Sequence, residues 1–162
     1  MTAEPPNEKL RLERLRRLDR IFSPSPIFFV TTCVFDRKPV LASSELHQAF
    51  VEFAHRGEEH GAYVGSYVIM PDHLHLFVAL ADDQLLGDWV KSLKNSLSKA
   101  LRIAGISAPH WQKGFFDHVL RSDESYSQKW EYVRDNPVRA GLVKSWEEWP
   151  HRGEIWRLEY RP

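Results

Sequence analysis

The chain has 162 residues with 43% hydrophobic and 27% charged side chains, and 22 basic residues balance 22 acidic ones. This composition fits one globular domain, expected in the cytoplasm, and excludes a disordered chain and a membrane protein, because no apolar stretch reaches the roughly 20 residues of a spanning helix. The zero net charge counts against nucleic-acid binding, which usually needs an excess of basic residues, and the single cysteine excludes an internal disulfide and a thiolate-rich zinc site.

Residues 1–24 form a candidate basic arm or helix. Between positions 8 and 20, six basic side chains outnumber three acidic ones, which leaves a local charge of +3. Arg14 and Arg17 belong to this stretch, and an arm of this charge can contact a nucleic-acid backbone. The alternative is a solvated amphipathic helix whose leucines pack on the domain.

The main domain is predicted to span residues 25–143 and to begin with a strand followed by a helix. The β-branched and aromatic run from Ile27 to Phe35 has strand propensity. Ser43 is a good N-cap for an amphipathic helix, which Gly57 or Gly61 can end.

A hairpin and a second helix come next. The runs AYVGSYVIM and HLHLFVAL are separated only by Pro71-Asp72, so they are expected to pair as antiparallel strands. From Gln84 to Ala104, apolar residues recur at helical spacing, which predicts an amphipathic helix with its lysines away from the core.

The last part of the domain is predicted to contain a strand, a helix and a docked tail. Residues 111–120 have strand propensity, and a helix from about Asp123 must stop near Asn136 because Pro137 disfavours helical geometry in the residue before it. Residues 144–162 are rich in tryptophan and are expected to dock on the domain.

The predicted order β-α-β-β-α-β-α indicates an α+β fold of the ferredoxin-like (RRM-like) type. Such a fold has a four-stranded antiparallel sheet with helices on one face and the other face free. Here an additional C-terminal helix that contains a tyrosine follows the last strand. We expect a functional site on the free face of the sheet.

Two histidines of the second hairpin strand are the first candidate site residues. Side chains alternate along a strand, so His73 and His75 share one face while Leu74 and Leu76 share the other. If the leucines take the helix-covered face, both imidazoles lie side by side on the open face and can bind one divalent cation. The alternative is a coincidence of two surface histidines. His118 is expected to be structural or to face the substrate. The other histidines are expected to be surface or cap residues, namely His47, His55, His60, His110 and His151.

A tyrosine of the last helix is the second candidate. With about 100° per residue, Tyr126, Trp130 and Val133 form the core stripe of this helix, and Tyr132 points away from it. Asn136 lies one turn after Tyr132 on the same flank, so both side chains can face the histidines. The alternative is that Tyr132 is half-exposed packing and Asn136 a helix stop before proline.

Several motifs together resemble the HUH nucleases, and specifically the REP-associated tyrosine transposases and their insertion-sequence relatives. They are MPDHLHLF at 70–77, Trp111-Gln112, FDHVLR at 116–121 and EYVRDNPVRAGLV at 131–143. The resemblance covers most of the chain from Ile27 onward. The most specific combination is the tyrosine helix that ends in Asn-Pro-Val at this distance from the histidine strand.

The resemblance implies metal-dependent cleavage and strand transfer of single-stranded DNA, in DNA transposition or palindrome processing. In such a reaction His73 and His75 bind the metal, and Tyr132 is the nucleophile that becomes attached to the 5′ phosphate. Asn136 corresponds to an amide that serves as third ligand in insertion-sequence relatives, where glutamine is common. Asparagine has a shorter reach than glutamine, and in this respect the chain departs from those relatives. Two nitrogen ligands with an amide and waters favour Mg²⁺ or Mn²⁺ over zinc.

The resemblance also suggests a DNA hairpin, formed by an extragenic palindrome, as partner. Its predicted contacts are Lys91, Lys94, Arg121, Arg14 and Arg17. Both a monomer and a homodimer are compatible with the sequence, and so is a tyrosine helix donated to a neighbouring subunit.

Three other functions compete with DNA cleavage. A domesticated regulator would bind the hairpin without cutting it, although the complete set of His73, His75 and Tyr132 argues against this function. A replication initiator or relaxase shares these residue types but usually places the tyrosine differently or has a longer chain. A ferredoxin-like RNA-binding module would need aromatic residues at the positions of the two histidines.

Overall fold

The computed structural model describes residues 13–15, 20–23 and 27–160, with side chains from 27 to 159. The strands are β1 (Glu13–Leu15), β2 (Arg20–Ser23), β3 (Ile27–Cys33), β4 (Ala62–Ile69), β5 (His73–Leu80), β6 (Phe116–Leu120), β7 (Arg152–Glu154) and β8 (Arg157–Tyr160). The α-helices are α1 (Ser44–Arg56), α2 (Leu86–Ile103), α3 (Asp123–Arg134) and the short α4 (Asn136–Arg139).

The main sheet is antiparallel and has the strand order β6-β3-β5-β4-β7. Its first four strands are the four that the sequence predicts, so the predicted ferredoxin-like fold is confirmed. The short strand β7 from the C-terminal tail pairs with β4 and adds a fifth strand.

The predicted strand over 111–120 is too long, because its regular part begins only at Phe116. Trp111 forms a single bridge with Val34, and the chain then turns through Gly114, whose φ is 79°. The Lys94 ammonium group accounts for this interruption. It donates hydrogen bonds to the carbonyl oxygens of Gln112, at 3.1 Å, and Gly114, so these carbonyls do not serve a neighbouring strand.

Helices α1 and α2 cover one face of the sheet, as predicted. Helix α1 starts where the Ser43 side chain accepts a hydrogen bond from the Leu46 N–H at 3.1 Å, which satisfies one of the free donors of the first turn. The alternate residues of β5 face these helices in one apolar core with residues of α1 and α2. This core includes Leu74, Leu76, Val78, Leu80, Phe50, Leu93 and Leu97.

The opposite face, predicted to be free, is covered over much of its area by α3 and the C-terminal tail. Phe77 of β5, fully buried, packs there against Tyr126 of α3, with 4.4 Å between the ring centroids. Trp156 and Leu158 of the tail are buried in the same cluster. The prediction of a free face is wrong because the side chains of this face are apolar and gain roughly 25 cal/mol per Å² when they are buried. Among the described residues, those at the end of the face that carries the histidines, such as Thr31, His73 and His75, remain partly exposed.

A bulge in β4 determines where α3 docks. The register with β5 shifts by one residue between Val64 and Tyr67, and the Ser66 N–H within the bulge donates to the Tyr126 hydroxyl oxygen at 3.0 Å. The Tyr126 hydroxyl in turn donates to Ser66 Oγ at 3.1 Å. Gly65 permits this approach, since a Cβ there would lie 2.7 Å from the Tyr126 oxygen. Burial raises the pKa of Tyr126 to about 12.

The described residues of the N-terminal segment form strands, so the predicted helix is absent from them. Strand β1 pairs antiparallel with β2, and β2 pairs parallel with β8, which gives a small three-stranded sheet. Arg17, a predicted DNA contact, lies outside the described residues, and the side chain of Arg14 does too. Among the described helices none is both long and apolar enough to cross a membrane.

Tyr126→Phe is expected to lower the free energy of unfolding by about 1–3 kcal/mol, because the buried Ser66 N–H loses its acceptor. Urea denaturation followed by tryptophan fluorescence measures this loss. Tyr132→Phe is the matched control on the same helix. Its hydroxyl belongs to a side chain that is 63% exposed, so its effect should stay within about 0.5 kcal/mol. Equal losses for the two variants would contradict the anchoring role of Tyr126.

Candidate functional site

His73 and His75 lie side by side on the face of β5 that is opposite α1 and α2. Their ring centroids are 4.7 Å apart, with an angle of 80° between the ring planes. The strand register places Cys33 opposite His73 and Thr31 opposite His75. The structure therefore brings the two predicted histidines together at the open end of the sheet.

His75 is held by two neighbours from β3. Its Nδ1 is 2.7 Å from the Thr31 hydroxyl oxygen, and its ring stacks on Phe29 with a centroid distance of 5.3 Å. Burial, together with the nearby charges of His73, Lys129, Arg139 and Arg37, lowers the pKa of His75 to about 3. The imidazole is therefore neutral, and because the Thr31 contact uses Nδ1, Nε2 is the nitrogen that remains for a ligand.

His73 is held by a chain of two polar side chains. Its Nδ1 is 2.8 Å from Asp72 Oδ1, and the Arg37 Nε donates to Asp72 Oδ2, also at 2.8 Å. Burial lowers the pKa of His73, although the contact with Asp72 raises it. Burial alone would raise the pKa of Asp72, but the hydrogen bonds with His73 and Arg37 bring it below its ordinary value.

The turn that carries Arg37 has an unfavourable backbone conformation. Asp36 and Arg37 have φ values of 57° and 51°, in the left-handed region that residues other than glycine rarely adopt. The Arg37 side chain fixes this turn through Asp72 and through a hydrogen bond to Cys33 Sγ at 3.1 Å. Backbone strain of this kind persists only where surrounding contacts hold it, and it concentrates at functional sites.

The donor set of the two histidines fits a divalent cation. Both rings are neutral, and the Nδ1 of each contacts an oxygen of Thr31 or Asp72, an arrangement typical of metal-ligating histidines. The described part of the chain has no group of three or more His, Cys, Asp or Glu side chains that could hold a metal ion. Further ligands would therefore be an amide, water or a substrate oxygen.

Tyr132 lies exposed on α3, turned away from the buried stripe of Tyr126 and Val133. The Arg139 guanidinium carbon is 4.0 Å from the centroid of the Tyr132 ring. The charge of Arg139 also lowers the pKa of His75, so this guanidinium lies within electrostatic reach of both groups. Within one chain, Tyr132 and His75 thus have Arg139 as a common charged neighbour.

Asn136 is not one turn above Tyr132 on the same helix, because α3 ends at Arg134 and Asn136 begins α4. Pro137 is at the start of this short helix, where a missing N–H costs nothing. The Asn136 amide oxygen accepts a hydrogen bond from Arg139 Nη2 at 3.3 Å. Asn136 and Tyr132 therefore share Arg139 as their neighbour.

Two of the predicted DNA contacts lie away from the face of the histidines. Lys91 and Lys94 belong to α2, which packs on the opposite face of the sheet. The Lys94 ammonium group is engaged with the carbonyls before β6, and burial lowers its pKa. Lys91 and Arg121, at the end of β6, are exposed.

Three described cations that influence His75 were not predicted from the sequence, namely Arg37, Lys129 and Arg139. Lys129 lies 4.7 Å from the centroid of the Phe29 ring that stacks on His75. The one available signal was the helical spacing that places Lys129 three residues before Tyr132. The prediction for His110 was wrong. Its side chain is buried and contacts Ser98 Oγ at 3.0 Å and the Ile106 carbonyl at 2.9 Å.

Comparison with known proteins identifies the family. The family model described as "Transposase IS200 like" matches residues 27–136, which include the histidine pair, Tyr132 and Asn136. The REP-associated tyrosine transposase of Escherichia coli is 29% identical over 89 residues, or 54% of this chain and 51% of its own length. The chain thus aligns with about half of that relative.

Two longer matches agree with this family. A Haemophilus influenzae protein, named provisionally as a REP-associated tyrosine transposase, is 24% identical over 147 residues, or 82% of this chain and 81% of its own length. A solved structure of a REP-associated tyrosine transposase bound to a REP hairpin has a TM-score of 0.65 at 21% identity and covers 81% of this chain and 78% of its own. It shows the same fold. Because the family model matches most of its length, this chain belongs to the IS200-like transposase family.

Proposed function

We propose that this protein cuts single-stranded DNA and rejoins it through a covalent link to Tyr132. One observation carries the proposal. The Arg139 guanidinium carbon lies 4.0 Å from the centroid of the Tyr132 ring, and its positive charge also lowers the pKa of His75. An exposed phenol and the histidine pair are therefore both influenced by the same cation. Membership of the transposase family supports DNA as the substrate.

The proposed cofactor is Mg²⁺ or Mn²⁺, held by Nε2 of His73 and of His75. When bound, the cation would withdraw negative charge from a phosphate oxygen and fix the scissile group. Asn136 is the proposed third ligand, and it would have to release its hydrogen bond with Arg139 to serve as one. The contacts of Thr31 and Asp72 with the two Nδ1 atoms would keep both rings oriented.

Tyr132 would act as the nucleophile. Its hydroxyl oxygen attacks the phosphorus, the bond to the 3′ oxygen breaks, and the strand leaves with a 3′ hydroxyl while its 5′ phosphate stays on the tyrosine. The phenol proton passes to solvent, and the leaving oxygen takes a proton from solvent. Arg139 would stabilise the negative charge on the transferred phosphate. Since the tyrosine ester conserves the free energy of the broken bond, a 3′ hydroxyl can later attack it and join two strands.

The proposed substrate is a DNA hairpin with unpaired flanks, as in transposition or the processing of palindromes. The similar solved structure is bound to a REP hairpin, which supports this partner. Lys91 and Arg121, both exposed, and Arg14 and Arg17 of the N-terminal segment are the proposed backbone contacts outside the cleavage site. Lys94 is a weaker candidate because its ammonium group already binds two carbonyls. The proposed assembly is a monomer or a homodimer.

The wild-type protein is expected to form a denaturation-resistant adduct with 5′-extended hairpin oligonucleotides in the presence of Mn²⁺, visible as a shifted band on a denaturing gel. Tyr132→Phe should abolish the adduct, because it removes the hydroxyl oxygen that would attack the phosphorus. Tyr63→Phe, which removes a hydroxyl from β4 instead, should leave it unchanged. An adduct of wild-type yield in Tyr132→Phe would refute the assigned nucleophile. Hairpin binding without any adduct would favour the non-cleaving regulator.

Asp72→Asn and Thr31→Val are each expected to weaken Mn²⁺ binding by about 10–100-fold, because the first replaces the carboxylate that orients His73 with a neutral amide and the second removes the hydroxyl group that orients His75. Isothermal titration of the DNA-free protein measures this change. Asp117→Asn is the matched control, since this exposed carboxylate lies on β6 next to Phe116 and His118 and points to the other face. The metal site would be wrong if the double variant His73→Ala, His75→Ala bound Mn²⁺ as tightly as the wild type.

A further inference from the structure

Phe116 is a large aromatic side chain that the fold leaves open to solvent, with 70% of its surface exposed. It begins β6, the edge strand of the main sheet. Its register partner in β3 is Thr31, whose register partner in β5 is His75. Residues directly opposite each other in antiparallel strands project to the same face, and the Thr31 hydroxyl contacts His75 on that face. The Phe116 ring therefore lies on the face of the histidine pair, about 10 Å from the His75 strand.

Phe116 forms part of the lining of a small cavity of about 170 Å³. Thr31 forms part of its lining on the side of the histidines, and Gln112 and Lys113 form part of it on the side of the loop before β6. Both backbone groups of Gln112 form hydrogen bonds. Its N–H donates to the Cys33 carbonyl oxygen at 2.9 Å, and its carbonyl oxygen accepts from the Lys94 ammonium group. An aromatic residue, an amide residue and a basic residue thus line one space beside the candidate cleavage site.

These three groups match the three parts of an unpaired nucleotide. An exposed aromatic ring stacks on a base, an amide side chain forms hydrogen bonds with a base edge, and an ammonium group pairs with the phosphate. The charges on the same side of the molecule are also suitable, because Lys129 and Arg139 act on His75 and Lys129 lies over Phe29. A lone exposed phenylalanine needs no explanation, but one that borders a polar and cationic cavity on the site face does.

We propose that Phe116 stacks on one unpaired base of the substrate strand next to the scissile phosphate, and that Gln112 contacts the edge of this base. The inference rests on the proposed DNA substrate and adds a specificity-determining subsite to it. Lys113 would neutralise the phosphate of the same nucleotide. In this arrangement the strand runs across the open end of the sheet, from β6 over Thr31 to the histidines.

The test is a coupling experiment on DNA binding in EDTA, where cleavage does not contribute. The probe is the hairpin oligonucleotide that the wild-type protein enriches from a pool with randomised unpaired flanks. An abasic site is placed at each unpaired position in turn, and affinity is measured by fluorescence anisotropy. One position is expected to lose about 5–150-fold in affinity, the equivalent of one base–aromatic stack.

The Phe116→Ala variant should bind intact DNA more weakly by a similar factor. Its affinity should fall no further when the DNA carries the abasic site at that position, because both changes remove the same contact. Phe116→Trp should retain affinity, and Gln112→Ala should weaken the preference for the base there. Ile103→Ala is the matched control, since this apolar side chain is 80% exposed at the end of α2 and should bind like the wild type.

The proposed stack would be overturned if the losses of affinity caused by Phe116→Ala and by the abasic site were additive, or if Phe116→Ala bound DNA as tightly as the wild type. It would also be overturned if the wild-type protein enriched no sequence from the pool. The outcome is separable from the cleavage hypothesis. Coupling without a covalent adduct would support the base-binding subsite and contradict the proposed cleavage. An adduct without coupling would contradict only the subsite.

Discussion

The docking of α3 on the sheet through the Tyr126 hydroxyl is the interaction on which the rest of the site depends. The bulge in β4 leaves the Ser66 N–H pointing at α3 instead of at a strand, and a buried N–H without an acceptor costs about 1–3 kcal/mol. The Tyr126 hydroxyl oxygen of α3 accepts the hydrogen bond from this N–H. Tyr126 and Tyr132 are six residues apart, or about 240° around the helix axis, so fixing the first also fixes the exposed direction of the second. A contact on the buried side of the helix therefore positions the candidate nucleophile.

The histidine pair combines burial with preorganisation. Burial lowers the pKa values of both rings, which keeps them in the neutral form that metal binding needs. Oxygens of Thr31 and Asp72 fix the rings at Nδ1, and the left-handed turn at Arg37 supplies the partner for Asp72. Unfavourable backbone geometry and desolvation thus occur at the same place, where other contacts in the fold compensate for them. Strained backbone and buried titratable groups lower the stability of a protein, and they are therefore typical of functional sites.

The zero net charge of the chain does not describe the surface that faces the substrate. Three cations, Arg37, Lys129 and Arg139, act on His75 although they come from distant parts of the sequence. Exposed charges are screened over about 8–10 Å at physiological salt, so a local group of cations governs phosphate binding and the total charge does not. The open end of the sheet is therefore a suitable surface for a nucleic-acid strand in a protein that is neutral as a whole.

The sequence by itself determined the order of the elements, the ferredoxin-like sheet, the common face of His73 and His75 and the exposed direction of Tyr132. These features follow from periodicity along single strands and helices, which local sequence encodes. Only the tertiary structure decided that α3 and the tail cover the second face, that the strand before Phe116 is interrupted, and which cations surround His75. Such features depend on contacts between segments far apart in the chain, for which periodicity carries no signal. The Tyr126 contact is the clearest case, because the residue that receives it, Ser66, precedes Tyr126 by 60 positions.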